Sequence, residues 1–163
     1  MKSIKNTTLF SLLVFCFTIS TTLGQSVKQE KMKQLNYLVG EWIGTSSQYE
    51  NGKLTKEVPA FEKISYDLDS NILVVELNTE LLQLHTIIYY DDKEDTYYYH
   101  PFSKWGMKIR PATFDDGKLV VHASETVRYT FAPTDEGGFQ EYGEKLIDGE
   151  WQLYFNDVFI DSR

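Results

Sequence analysis

Cysteine is nearly absent: the chain of 163 residues has one, Cys16. A single thiol excludes a disulfide framework and a thiolate metal cluster. Cations are in the minority, with 16 Lys and Arg against 24 Asp and Glu and a formal charge of −8. That balance speaks against a nucleic-acid binder, whose affinity rests on Lys and Arg meeting phosphates. Sustained helical periodicity is missing after residue 40, which excludes βαβ crossovers. There is no Gly-x-Ser-x-Gly, P-loop, His-Glu-x-x-His or calcium-loop pattern, so no catalytic residue and no metal site is assigned. What the chain does hold is apolar and aromatic side chains, 42% and 15% of the residues. That supplies enough apolar area to offset ordering entropy in one compact domain.

The first residues read as an address. Lys2 and Lys5 precede an apolar run from Leu9 to Ile19, followed by the small residues Ser20, Thr21, Thr22 and Gly24. This is the order of a secretory signal peptide cut before Gln25. The run is shorter than the roughly 20 residues that span a bilayer. Phe15 stands where a lipoprotein would need a small residue before Cys16. We therefore expect residues 1–24 to be a signal peptide and residues 25–163 an exported domain, periplasmic or secreted. Removing residues 1–24 takes away Cys16 and two lysines and leaves the domain more acidic.

Ser26-x-x-Gln29 has the form of a capping box. Met32, Leu35, Leu38 and Val39 then form an apolar stripe with helical spacing. The spacing predicts a closing helix of 10 to 12 residues, with Gly40 at its end in a left-handed conformation. From Glu41 to Ile160, β-branched and aromatic runs alternate with turn residues. Asn51-Gly52, Asp69-Ser70-Asn71, Asp91 to Asp95, Asp115-Asp116-Gly117, Asp135 to Gly138 and Asp148-Gly149 are the breaks. Strands are expected at 41–50, 54–67, 72–80, 83–90, 96–101, 105–114, 118–125, 127–133, 139–147 and 150–160. Hairpin following hairpin predicts an all-β, antiparallel up-and-down β-barrel of about 8–10 strands, since closure removes exposed edges. Alternation puts Trp105, Met107 and Ile109 on one face and Lys104, Lys108 and Arg110 on the other. Val127, Tyr129 and Phe131 similarly oppose Arg128 and Thr130.

Leu35 to Gly44 (LNYLVGEWIG) resembles the opening motif of small calycin-type barrels: a short helix, then Gly-x-Trp-x-Gly at the first strand. Lipocalins and nitrobindin-like proteins share it, and fatty-acid-binding proteins share the general barrel. The resemblance implies that Trp42 plugs the barrel floor and that Gly44 admits a neighbouring backbone. It also implies a basic residue stacked on Trp42, with Arg163 the first choice and Arg128 the second. Nitrobindin-like proteins hold haem through a His near the C-terminal end, but no His lies between Ala123 and Arg163. The fatty-acid-binding Arg-x-Tyr is not matched either, because Arg128 and Tyr129 are adjacent. No cofactor is therefore predicted; haem would have to use His85, His100, His122 or a Tyr.

The expected function is binding of a small hydrophobic or amphiphilic molecule in the lumen, by a monomer or homodimer without a membrane span. Candidate lumen residues are Arg110, Arg128, Tyr97, Tyr99, Tyr129 and Trp105. Tyrosine and tryptophan combine apolar area with a polar tip, and an inward Arg would suit a carboxylate. The alternatives are a haem-binding nitrobindin-like barrel and a small calycin-type enzyme using Glu62, Glu76, Glu141 or Glu144 with Arg110, Arg128 or Lys145. We expect those charged groups to face solvent. The acidic Asp91 to Asp95 tip reads as a solvated turn.

Overall fold

The computed structural model describes residues 26–163; the expected signal peptide and Cys16 lie outside them. A helix, α1 (Val27–Lys33), and a 3-10 turn (Asn36–Leu38) precede eleven strands. These are β1 (Gly40–Glu50), β2 (Lys53–Asp67), β3 (Ile72–Thr79), β4 (Gln83–Asp91), β5 (Thr96–Ser103), β6 (Gly106–Met107), β7 (Arg110–Asp115), β8 (Lys118–Ser124), β9 (Val127–Pro133), β10 (Phe139–Ile147) and β11 (Glu150–Asp161). Each main strand pairs antiparallel with the next, β5 pairs with β7, and β1 pairs with β11. The result is a closed up-and-down barrel of ten strands, with the two-residue β6 attached to the end of β5. No helix among the described residues is long and apolar enough to cross a membrane.

Turn chemistry sets the hairpins. Asn51-Gly52, Asp116-Gly117 and Asp148-Gly149 all have positive φ at both residues, as the tight turns that match strand twist require. One expected strand is broken. Gly106 reverses the chain at φ 109°, so residues 106–107 fold back on β5 and β7 begins only at Arg110. The alternation expected from Lys104 to Arg110 therefore does not exist as a strand face.

The helix is shorter than expected. The Ser26 hydroxyl accepts the Gln29 amide at 3.2 Å, but the Gln29 side chain donates to the Asp69 carbonyl and not back to Ser26. Met32, Leu35 and Leu38 are fully buried against one end of the barrel. Tyrosines tie that lid down. The Tyr66 hydroxyl donates to the Met32 carbonyl at 2.6 Å, and the Tyr97 hydroxyl lies 2.8 Å from the Lys31 carbonyl. The last helical carbonyls, which lack a full set of helical donors, thus gain partners from the barrel wall. The Tyr37 hydroxyl donates to the Phe131 carbonyl at 2.9 Å.

Under the lid lies an aromatic floor. The Trp42 indole N–H donates to the Leu38 carbonyl at 2.8 Å, and its ring meets Phe139 edge-on at 5.1 Å. Phe139 stacks on Phe159 at 4.8 Å. Each such buried ring contributes about 2 kcal/mol of transfer free energy. Gly40 does not end the helix; it opens β1 in an extended conformation, and a Cβ there would stand 2.9 Å from the Trp42 ring. Gly44 has the role the motif implies: a Cβ there would fall 1.8 Å from the Val158 carbonyl oxygen. The expected cation on Trp42 is not present. The Arg163 side chain is 77% exposed and its guanidinium pairs with Asp161 at 2.8 Å.

The lid covers one end of the barrel and not its wall. Ile43, Phe61 and Ile160 form an outward row across β2, β1 and β11 and stay exposed. Because the Val158 carbonyl belongs to backbone and cannot swing away, Gly44→Ala should destabilise the barrel by more than about 2 kcal/mol. Urea denaturation checks this, and an unchanged midpoint would show that β1 and β11 are not in this register.

Candidate functional site

Above the floor the barrel is hollow. A cavity of about 610 Å³ opens at the end opposite the lid. Its apolar wall includes Leu77, Leu84 and Phe155, and its mouth carries Leu81 and Leu82 from the β3–β4 turn with Trp105 and Met107 from the β5–β7 connection. A register shift between Gly143 and Glu144 on β10 leaves Tyr154 as the extra residue of a bulge in β11. The consecutive residues Tyr154 and Phe155 both face the cavity, which strict strand alternation forbids and a bulge permits.

Three carboxyl groups stand at the inner end. Glu141 on β10 pairs directly across from Asp157 on β11, and Asp157 pairs across from Ser46 on β1. Glu141, Asp157 and Ser46 all line the cavity. Glu62, opposite Trp42 on β1, lies behind them beside the floor and is 1% exposed. Both Glu62 oxygens and Asp157 Oδ1 are buried without a hydrogen-bond partner. None of the ion pairs among the described residues includes Glu62, Glu141 or Asp157.

Burial without a counter-ion disfavours the charged forms. It pushes the Glu62 carboxyl up to about 8, helped by the charge of Asp157. Glu141 is held well above the usual carboxylate range by burial and then by Glu62 and Asp157. Asp157 is raised to about 6 by burial, with the Ser46 hydroxyl and Ser47 amide pulling the other way. Tyr99, at the same depth, is raised by burial and then by Glu141.

The expected lumen residues divide. Tyr99, Tyr129, Arg110 and Trp105 line the cavity. Tyr99 is buried, whereas Trp105 is 69% exposed at the mouth, with Lys104 Nζ 4.5 Å above its ring. Arg110 stands over the Tyr129 ring at 5.7 Å and donates through Nη1 to the Lys108 carbonyl at 3.0 Å. Tyr97 belongs to the packed floor, where it holds the helix. Arg128 is on the outer wall, bonded to Glu144 at 2.7 Å and stacked 4.2 Å over Trp151. Its neighbour Tyr129 takes the inward position, so strand alternation forces Arg128 out.

The histidines do not converge. His85 and His122 are exposed; His122 Nε2 lies 3.0 Å from the Thr113 hydroxyl. His100 packs against Phe102 at 4.4 Å on the outer face. No group of three or more His, Cys, Asp or Glu among the described residues is placed to hold a metal. Glu76 is outward and exposed, as expected, and Glu144 pairs with Arg128. Glu62 and Glu141 correct that expectation, and Asp157 was not singled out at all. The signal was readable: Ile64, Phe139 and Phe159 each stand two residues from one of these acids, on the same strand face.

A comparison with protein-family models found no match, and a comparison with curated proteins found none either. The closed antiparallel barrel is consistent with a calycin-type, lipocalin-like fold.

A carboxyl whose ionisation is suppressed by folding makes the folded state bind more protons than the unfolded chain. Stability should be full below the ordinary carboxyl range, roughly pH 4, and fall as pH rises through about 6 and then about 8. Between pH 5 and pH 9 the loss should be on the order of a few kcal/mol, and Glu62→Gln should flatten its upper part. Urea midpoints across that range check it; a midpoint that climbs with pH would contradict the burial of these groups.

Proposed function

We propose that this chain is an exported, lipocalin-like barrel that holds a small hydrophobic or amphiphilic molecule in its lumen. The observation that carries the reading is the cavity of about 610 Å³, open at one end and closed at the other by an aromatic floor. A volume of that order is what small-molecule sites occupy, with apolar walls and a few polar groups that fix orientation. The apolar part of a guest would leave water against Leu77, Leu84 and Phe155. Its polar part would meet the carboxyls inside or Arg110 nearer the mouth. Export is supported by the basic, apolar and small-residue order of residues 1–24.

A second reading, a small barrel enzyme, is favoured by one observation. Glu141 stands directly across from Asp157 in the cavity, a pair of carboxyls that could give and take a proton at a bound guest. The two readings part on the fate of the guest, which a carrier returns unchanged.

Native mass spectrometry of protein purified without detergent should show an added mass that organic extraction removes. Extracted protein should then take up a fluorescent apolar probe, with Leu84→Trp blocking uptake. Protein that is empty as isolated and takes up no probe would overturn the carrier reading.

A further inference from the structure

We infer that the inner end of the cavity recognises a positively charged nitrogen, so that the guest is an amine-bearing amphiphile with its ammonium directed inward. The inference rests on the lumen-binding reading and specifies the chemistry of its polar end.

The charge distribution along the cavity carries it. Glu141 and Asp157 face the cavity from adjacent strands, and Glu62 stands just behind them. No ion pair among the described residues includes them. Arg110 turns its Nη1 to the Lys108 carbonyl at 3.0 Å, and Lys145 Nζ sits 4.3 Å over the Tyr154 ring. Lys108 lines the cavity as well, and none of these three cations forms an ion pair with the inner acids.

Among the buried side-chain atoms without a partner, carboxyl oxygens outnumber the one donor that lines the cavity, Arg110 Nε. Both oxygens of Glu62 and Oδ1 of Asp157 are buried without a donor. An ammonium group brings three donors and no acceptor, whereas an alcohol brings one donor and a carboxylate none. Thr86, 1% exposed on the inward face of β4, sets its hydroxyl beside Tyr99 in the same interior. The aromatic walls suit a cation as well. Tyr99 and Tyr129 line the cavity with ring centroids 6.3 Å apart, and ring faces attract ammonium groups. The apolar tail would then lie toward Leu82, Leu84 and Met107 at the mouth.

A matched series tests the inference: decylamine, decanol and decanoate titrated into the extracted full-length mature protein by calorimetry at pH 7.5. Decylamine should bind at least about tenfold more tightly than decanol, and decanoate no better than decanol. The double variant Glu141→Gln/Asp157→Asn should lose the amine preference and keep its affinity for decanol. The wild-type series alone decides the matter if that variant does not fold. Equal binding of amine and alcohol, or tightest binding of decanoate, would overturn the cation inference while leaving lumen binding intact. An amine preference that survives in the folded double variant would also overturn it, by locating the cation elsewhere. Failure of all three ligands to bind would remove both readings together.

Discussion

The Trp42 indole is the constraint on which the rest of the molecule depends. Its N–H is bonded to the Leu38 carbonyl and its ring meets Phe139, which stacks on Phe159. One side chain therefore joins the lid to the first, tenth and eleventh strands, which is where the sheet closes on itself. A large ring on that seam fills the lower barrel as no aliphatic residue could. The glycine at 40 exists in service of it, because any side chain there would strike the indole. The plug also ends the core. Below it the interior is packed with rings and aliphatic groups; above it the same inward positions carry Ser46, Glu141, Asp157 and Arg110 around open space.

That division explains the electrostatics. Charged groups in a solid core would be paired or replaced, since an unpaired buried charge costs several kcal/mol. Here the acids sit where the core stops, too deep for free hydration and outside every ion pair among the described residues. Protonation is how such groups lower their cost in the barrel interior. A carboxyl kept neutral by its surroundings is a group ready to change state when its surroundings change. The arrangement is costly for folding, and under the proposed function that cost is set against binding of the guest.

Much of the wall was legible in the sequence because turn residues mark it. Asn51-Gly52, Asp116-Gly117 and Asp148-Gly149 fall at the hairpin ends, and the strand limits between them follow within a residue or two except at β7, which begins at Arg110. The lid was legible through Ser26 and the Met32, Leu35, Leu38 stripe, although its length was not: the chain leaves α1 at Lys33 and continues as a 3-10 turn. What alternation alone could not settle were the breaks in alternation. Gly106 turns a strand back on itself, and the bulge beside Gly143 sends both Tyr154 and Phe155 inward. The pair Arg110 and Arg128 illustrates the consequence, since one faces the cavity and the other stacks outside on Trp151. The acids were misjudged for a different reason. Glutamate on a strand is ordinarily solvated, and only the apolar neighbours at two-residue spacing reveal that Glu62, Glu141 and Asp157 occupy the inner face.

The central claim is that carboxyl groups stand inside the barrel without a counter-ion. A pH titration of side-chain carboxyl carbon shifts by NMR in the ligand-free protein reads this directly. The account predicts midpoints near 8 for Glu62 and near 6 for Asp157, with Glu141 also above the ordinary range. Midpoints at roughly 4 for all three would mean that the groups are solvated or paired, and would contradict the account.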